Sequence, residues 1–144
     1  MQEILVNKLH EYIRANNPEL LLALEQENKV TEYLQESVST ADDLINQLLR
    51  DNKPASLVEE FCIDELTKQL RPSRFNYIKS VLEEEFSGDF ERLSKHGVLT
   101  TEVLNLMSVC DPMFEELGFS EQTEDNRHLR YAVMGAIHEY LDME

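Results

Sequence analysis

The sequence predicts an all-α, single-domain protein, an irregular bundle of six to eight helices spanning residues 1–144. Apolar residues recur every three or four positions along most of the chain, which is the spacing of one helix face. No segment alternates apolar and polar residues for long enough to indicate a strand. The chain also has only four glycines and four prolines, few for a turn-rich β fold. Its length of 144 residues suits one domain whose core needs no disulfide or metal.

The first half of the chain predicts four helices. The first covers residues 2–15 and ends at Asn16. Asn17 and Pro18 begin a short second helix, since proline is well tolerated at a first helical position. Asn28 is a candidate cap for a third helix, which we expect to continue to about residue 51 because its apolar stripe keeps phase across the serines at 37–39. A fourth helix begins at Pro54 or, because Ser56 and Glu59 have capping-box spacing, at Leu57. It buries one side, namely Leu57, Val58, Phe61, Cys62 and Leu66.

The middle of the sequence predicts a central helix after the hinge at residues 71–73. Proline cannot continue a preceding helix, and Ser73 can cap the next one through its hydroxyl. Residues of one face follow at helical spacing, namely Phe75, Ile78, Val81, Leu82 and Phe86. We expect this face to be the centre of one core, with the N-terminal half packed on one side and the C-terminal half on the other.

The second half predicts shorter elements. A brief turn begins at Asp89 and closes at Gly97, which suits the left-handed position after a helix. A helix from Thr100 or Thr101 ends at Cys110. Asp111 and Pro112 then open a single-turn helix over 113–117. A surface loop covers 119–125, and the final helix runs from about residue 123 to 141.

The charge balance bears on possible partners. The chain has 29 acidic and 13 basic residues, a formal net charge of −16. Nucleic-acid backbones are bound through Lys and Arg, and anionic membranes repel negative proteins. We therefore expect no direct nucleic-acid binding and no membrane association, and a solvated acidic surface that aids solubility. Two isolated cysteines, no signal peptide and no apolar run of membrane-spanning length predict a cytoplasmic protein with reduced thiols.

The sequence contains no motif typical of catalysis. The closest match to a metal-binding helix pattern is a single Asp125-x-x-His128, without the second copy that a di-metal carboxylate site requires. Cys62 and Cys110 lie beside apolar residues and are interpreted as buried hydrophobes. Glycine-rich phosphate loops and nucleophile motifs are absent. We predict a non-enzymatic protein without catalytic residues, metal or cofactor.

Arg71, Ser73 and Arg74 form the candidate contact site. In so acidic a chain, we expect such arginines to connect helix ends with nearby carboxylates. The alternative is a small anion pocket or partner contact at the Ser73 cap, because a helix N-terminus presents N–H groups and partial positive charge.

Four segments resemble an uncharacterised domain-of-unknown-function family of Bacteroidetes. They are residues 12–20 (YIRANNPEL), 70–86 (LRPSRFNYIKSVLEEEF), 110–114 (CDPMF) and 135–141 (GAIHEYL). The resemblance implies a small, acidic, helical protein, often encoded in conjugative-transposon neighbourhoods, and it supplies no activity or catalytic residue. This chain has three glutamates at 83–85, where relatives often carry an aromatic residue.

Two functions remain open. The first is a protein-interaction module, associated with mobile genetic elements, that binds a protein partner of unknown identity. The leucines at 20–24 are its candidate surface, although we expect them to be buried in the core. The second is an acidic DNA mimic that occupies the groove of a basic nucleic-acid-binding protein. The sequence makes no prediction of oligomeric state.

Overall fold

The computed structural model describes residues 1–143, and every regular element in that range is helical. The all-α class is thereby confirmed. The described chain has nine α-helices and one 3-10 helix, more than the six to eight helices expected. They are α1 (Gln2–Asn16), α2 (Pro18–Gln26), α3 (Val30–Ser39), α4 (Asp42–Arg50), α5 (Ala55–Leu66), the 3-10 helix (Lys68–Leu70), α6 (Arg74–Glu85), α7 (Ser87–Lys95), α8 (Leu99–Leu117) and α9 (Arg127–Asp142).

The chain divides into two compact units, an N-terminal unit of residues Met1–Arg71 and a C-terminal unit that begins at Pro72. In the N-terminal unit, α1 packs against α2, α3 and α5, and α4 packs against α5. The buried residues of this unit form one cluster: Leu5, Leu9, Ile13, Leu34, Val38, Ala41, Ile45, Val58 and Cys62.

The C-terminal unit has a second cluster of buried residues, built around α6, α8 and α9. Helix α6 packs against α7, α8 and α9. It contributes Phe75, Ile78, Val81 and Leu82, as its apolar spacing predicts. The expectation of one core shared by both halves was wrong, because the apolar faces of each half are covered within that half. Phe86 lies at the junction of α6 and α7 and is half-buried.

Two predicted helix boundaries differ from the structure because local hydrogen bonds and packing override them. The expected continuous third helix breaks into α3 and α4. The hydroxyls of Ser39 and Thr40 donate to the carbonyl oxygens of Glu36 and Ser37, at 2.8 and 2.6 Å, and such bonds compete with the helical ladder. Conversely, α8 continues through Pro112.

Pro112 does not end α8 because the flanking turns are anchored. Cys110 and Phe114 are both buried in the same cluster. Proline lacks the N–H that would bond to the carbonyl of Ser108, and this loss weakens a helix. Core contacts on both sides of the proline outweigh that loss here. The predicted new helix start at Asp111 was therefore wrong.

Three helices end with a residue in the left-handed conformation. Gly97, predicted for this role, has φ 70°, and Asn28 and Asn52 have φ 57° and 58°. After each of them, the next amide donates to a carbonyl five residues earlier: Val98 to Leu93, Lys29 to Leu24, and Lys53 to Leu48. This is the Schellman pattern. Asn28 thus ends α2, and the prediction that it caps the third helix was wrong.

The predicted start of the final helix and the predicted burial of Phe61 on α5 also differ from the structure. The final helix begins at Arg127, where the Asn126 side-chain oxygen accepts hydrogen bonds from the amides of His128 and Leu129 at 2.8 and 3.3 Å. Phe61 is 48% exposed, not buried, because the inner face of α5 is formed by the buried Val58 and Cys62, with Ile63 and Leu66 packed beside them.

The two phenylalanines at 75 and 61 should differ sharply in their contribution to stability. Phe75 is 4% exposed, and truncating a buried phenylalanine costs about 3–5 kcal/mol. We expect Phe75→Ala to lower the free energy of unfolding by about that amount. Phe61→Ala should lower it by about 1 kcal/mol or less, because exposed positions contribute little. Urea denaturation followed by circular dichroism measures both. Equal losses would contradict the burial difference.

Candidate functional site

Arg71 lies at the end of the N-terminal unit, and its guanidinium is bound to α5. One guanidinium nitrogen is 3.0 Å from the Asp64 carboxylate. The same nitrogen donates to the Asp64 backbone carbonyl at 3.0 Å. A cation near a helix C-terminus also interacts favourably with the last carbonyl groups. Arg71 therefore stabilises the end of α5.

Ser73 caps α6, as predicted. Its hydroxyl oxygen accepts a hydrogen bond from the amide of Asn76 at 3.0 Å, and the residue is buried. A side-chain cap of this kind satisfies one of the amides that a helix N-terminus leaves unpaired. Ser73 therefore has a structural role, which is to cap the first turn of α6.

Arg74, the first residue of α6, connects that helix to α8. Its guanidinium donates to Asp111 at 3.1 Å and to Glu115 at 2.9 Å, and lies 5.1 Å from the centre of the Phe114 ring. Partial burial opposes the charge, but the hydrogen bonds to Glu115 and Asp111 outweigh it and raise the pKa of Arg74. The guanidinium remains charged and fixes the start of α6 on α8.

Arg130 makes the corresponding connection from α9 to α6. Its guanidinium donates to Glu84 at 2.8 Å and to Glu85 at 3.0 Å. The bond to Glu85 is the main reason that the pKa of Arg130 is raised. Two of the three glutamates at 83–85 thus form ion pairs with α9.

The space beside the Ser73 cap is poorly suited to an anion. The cavity there measures about 540 Å³, which is large enough for a small ligand. Three carboxylates line it, those of Glu84, Glu124 and Asp125. Its guanidinium, Arg130, already bonds to Glu84 and Glu85. Arg71 and Arg74 are also paired with carboxylates. These contacts favour the interpretation that the arginines connect helix ends with nearby carboxylates. Binding of an anion or a partner at the Ser73 cap stays a prediction.

The two cysteines are buried and are not joined by a disulfide. Burial raises the pKa of the Cys62 thiol above its ordinary value. For Cys110, burial together with the nearby charge of Asp111 raises the pKa to about 11. The thiolate is the nucleophilic form of cysteine, so neither side chain is prepared for nucleophilic chemistry at neutral pH.

Tyr77 is a polar residue that sequence patterns did not single out. Its ring stands edge-on to the rings of Phe114 and Phe119, with centroids 5.7 and 5.2 Å away. Its hydroxyl is buried and has no hydrogen-bond partner among residues 1–143. Burial also raises its pKa. Helical spacing places Tyr77 beside the core, but the unpaired hydroxyl depends on side chains distant in sequence.

Helix α2 presents apolar side chains at the surface of the N-terminal unit. Leu20 and Leu21 pack against the N-terminal cluster and are half-buried. Leu22 is 47% exposed, and none of the residues of α2 is buried. The expectation that the leucines at 20–24 would be buried in the core was therefore wrong.

The described residues offer no assembled metal site. Residues 1–143 contain no group of three or more His, Cys, Asp and Glu side chains placed to hold a metal ion. In the same range, every helix is too short or too polar to cross a lipid bilayer. Neither a protein-family model nor a curated or structurally solved protein shows significant similarity to the chain. The resemblance to the Bacteroidetes family therefore stays a prediction.

Both thiols should resist modification in the folded protein. Burial hinders access, and at pH 8 a thiol with a pKa of about 11, as at Cys110, is almost entirely protonated. We expect an aromatic disulfide reagent to label neither Cys62 nor Cys110 rapidly in the native state, and to label both after unfolding in urea. Rapid labelling of one native thiol, located with Cys62→Ala and Cys110→Ala variants, would show that this side chain is accessible.

Proposed function

We propose that this chain is a non-enzymatic protein-interaction module that binds a protein partner through α2. The observation that carries the proposal is the exposure of this helix. Of the nine α-helices described, α2 alone has no buried residue. Yet five of its nine residues are leucine or alanine.

Helix α2 is held in place along one side and presents the other to solvent. Leu20 and Leu21 pack against the N-terminal cluster. At its start, the Asn17 side-chain amide donates to the carbonyl oxygen of Leu70 at 3.4 Å. The position of Leu22 is thereby fixed before a partner binds. A preorganised apolar side chain reduces the entropy lost on binding.

The charges near Leu22 indicate the chemistry of the partner. Glu25, about one turn further along, and Glu27, just past the end of α2, are exposed. A complementary surface would therefore combine an apolar pocket for Leu22 with nearby Lys or Arg side chains. Charge complementarity of this kind increases the rate and specificity of association.

Leu22→Gln tests this surface with a matched control. Leu49 lies in α4 of the same unit and is also 47% exposed. Glutamine keeps helix propensity and approximate size while adding a polar group. The wild type, Leu22→Gln and Leu49→Gln are used as baits for affinity capture from native cells, and captured proteins are quantified by mass spectrometry.

We expect one protein to be enriched by the wild type and by Leu49→Gln, and to be reduced at least tenfold with Leu22→Gln. A tenfold loss corresponds to about 1.4 kcal/mol, within the range for removing a buried apolar contact. Equal capture by all three baits, or by none, would contradict a role for α2. Circular dichroism of each bait shows whether its helices are intact.

A second candidate function is the acidic DNA mimic, which the distribution of charge favours. The N-terminal unit contains fourteen acidic and seven basic residues, and residues 72–143 contain fourteen acidic and six basic ones. The net charges are −7 and −8. Both halves would thus be attracted to a basic groove. A partner captured through this attraction is released by moderate salt and displaced by duplex DNA, whereas a partner held through Leu22 resists salt.

Two further assignments belong to the same proposal. A cytoplasmic location agrees with two buried cysteines that are not linked, since reducing compartments keep thiols unpaired. The association with mobile genetic elements has the family resemblance as its support.

A further inference from the structure

A groove opens on the surface of the N-terminal unit between α3, the start of α4 and the 3-10 helix. It has a volume of about 880 Å³, which lies within the usual range of ligand sites in proteins. Its floor is apolar and belongs to, or packs against, the N-terminal cluster: Tyr33, Ala41, Leu44, Leu66 and Leu70. Only the alanine is buried. The fold therefore leaves part of the apolar surface of the four larger side chains uncovered.

Phe61 extends this apolar surface beyond the groove. It lies four residues before Glu65, which lines the groove, and residues four apart are neighbours on the surface of a helix. Phe61 is 48% exposed. Aromatic side chains are enriched in protein interfaces, and a continuous apolar patch on a surface is typical of a binding site.

The charge on the rim indicates the chemistry of the occupant. Asp43 and Glu65 are the exposed carboxylates among the lining residues, and Lys68 is the cation among them. Lys68 lies 2.8 Å from Glu65, so the carboxylate of Asp43 has no cation on the rim. Fatty acids, nucleotides and other anions would meet a rim of net negative charge, whereas Lys or Arg side chains would be attracted to it.

A second copy of this chain has no helix suited to the groove. In each unit the inner faces of the helices are covered by the buried clusters. The exception is α2, which has no buried residue, but its charged residues are Glu19 and Glu25 and it contains no Lys or Arg. A second copy would therefore bring further negative charge to the rim.

The composition of the floor favours a helical occupant over other forms of peptide. Strand addition requires an exposed strand edge, and residues 1–143 form no strand. Proline-rich peptides bind grooves lined by aromatic side chains, whereas three of the five floor residues are leucine. A helix presents apolar side chains four residues apart, about 6 Å. Phe61 and Leu66 offer contacts at a comparable separation, five residues or about 7.5 Å along α5.

We propose that this groove binds a basic amphipathic helix of a partner protein. The apolar side chains of that helix contact the leucines of the floor and Phe61, and its Lys or Arg side chains pair with Asp43 and Glu65. Exposed ion pairs contribute little affinity, so the apolar contacts supply most of it and the charges direct the choice of partner. No residue of α2 lines the groove. The proposal therefore goes beyond the binding role of α2 and does not depend on it.

Fluorescence anisotropy with the full chain and synthetic peptides tests the proposal. The probes are fluorescein-labelled peptides of lysine, alanine and one apolar residue type (Leu, Ile or Phe) that recurs at helical spacing. Each has a scrambled form with the same composition and no apolar face. We expect at least one amphipathic peptide to bind about tenfold more tightly than its scrambled form, a difference of about 1.4 kcal/mol. Attraction by charge alone would not distinguish the two.

Phe61→Gln locates the apolar contact, and Leu49→Gln is the matched control, since these side chains are 48% and 47% exposed. Phe61→Gln should weaken binding of the amphipathic peptide by a similar factor, and Leu49→Gln should leave it unchanged. Asp43→Asn should also weaken binding. Glu11→Gln removes the same charge from an exposed position on α1 and should not. Circular dichroism of each variant shows whether its helices are intact.

Equal binding of amphipathic and scrambled peptides, or no binding of any peptide, would overturn the proposal. So would equal losses with Phe61→Gln and Leu49→Gln, or a loss with Leu22→Gln alone, which would place the contact on α2. Tighter binding of a basic proline-rich peptide would contradict a helical occupant. Binding of decylamine but of no peptide would assign the groove to a small amphiphilic amine. In sedimentation velocity, a dimer of the chain that Phe61→Gln abolishes would identify a second copy as the occupant instead.

Discussion

Each helix of this protein depends on covering its apolar face within its own half of the chain. Six of the nine α-helices described are nine to twelve residues long, and α8, the longest, has nineteen residues. Isolated helices of about 12–15 residues are marginal in water. No disulfide joins the cysteines. The helices therefore persist because their inner faces, spaced at three and four residues, meet in the two buried clusters.

Electrostatics contributes to the positions of helices more than to the strength of the core. The chain has few cations, and several of them connect two elements: Lys8 with α5, Arg74 with α8, and Arg130 with α6. Exposed ion pairs each contribute little to stability. Their importance lies in orientation, because two carboxylates hold each of Arg74 and Arg130 in one geometry. The acidic residues that remain unpaired give the surface its negative charge.

The sequence was sufficient for the fold class and for features that depend on neighbouring residues. Helical spacing located the inner face of α6, and local side-chain chemistry identified the Ser73 cap and the left-handed Gly97. Features that depend on distant residues were not predictable. The continuation of α8 through Pro112 requires knowledge of what anchors Cys110 and Phe114. The exposure of Phe61 depends on which helices pack beside α5.

In the candidate site, too, the sequence predicted what depends on neighbouring residues but not what depends on distant ones. The sequence correctly suggested that Arg74 bonds to carboxylates, but it could not name Asp111 and Glu115 as its partners, nor Glu84 and Glu85 as the partners of Arg130. Those pairs are separated by 37 to 46 positions along the chain. Neither periodicity nor capping rules carry information over that distance.

Pro112 gives α8 mechanical properties that its neighbours lack. The carbonyl of Ser108 receives no amide from the fourth residue after it, and both residues are exposed. Water can bond to that carbonyl without disturbing the core on the opposite side of the helix. The solvent side of α8 can therefore lengthen while its inner side keeps a fixed length, which allows the helix to curve around the buried side chains that it covers. A helix that can bend at one position covers a core of irregular shape more readily than a straight helix does.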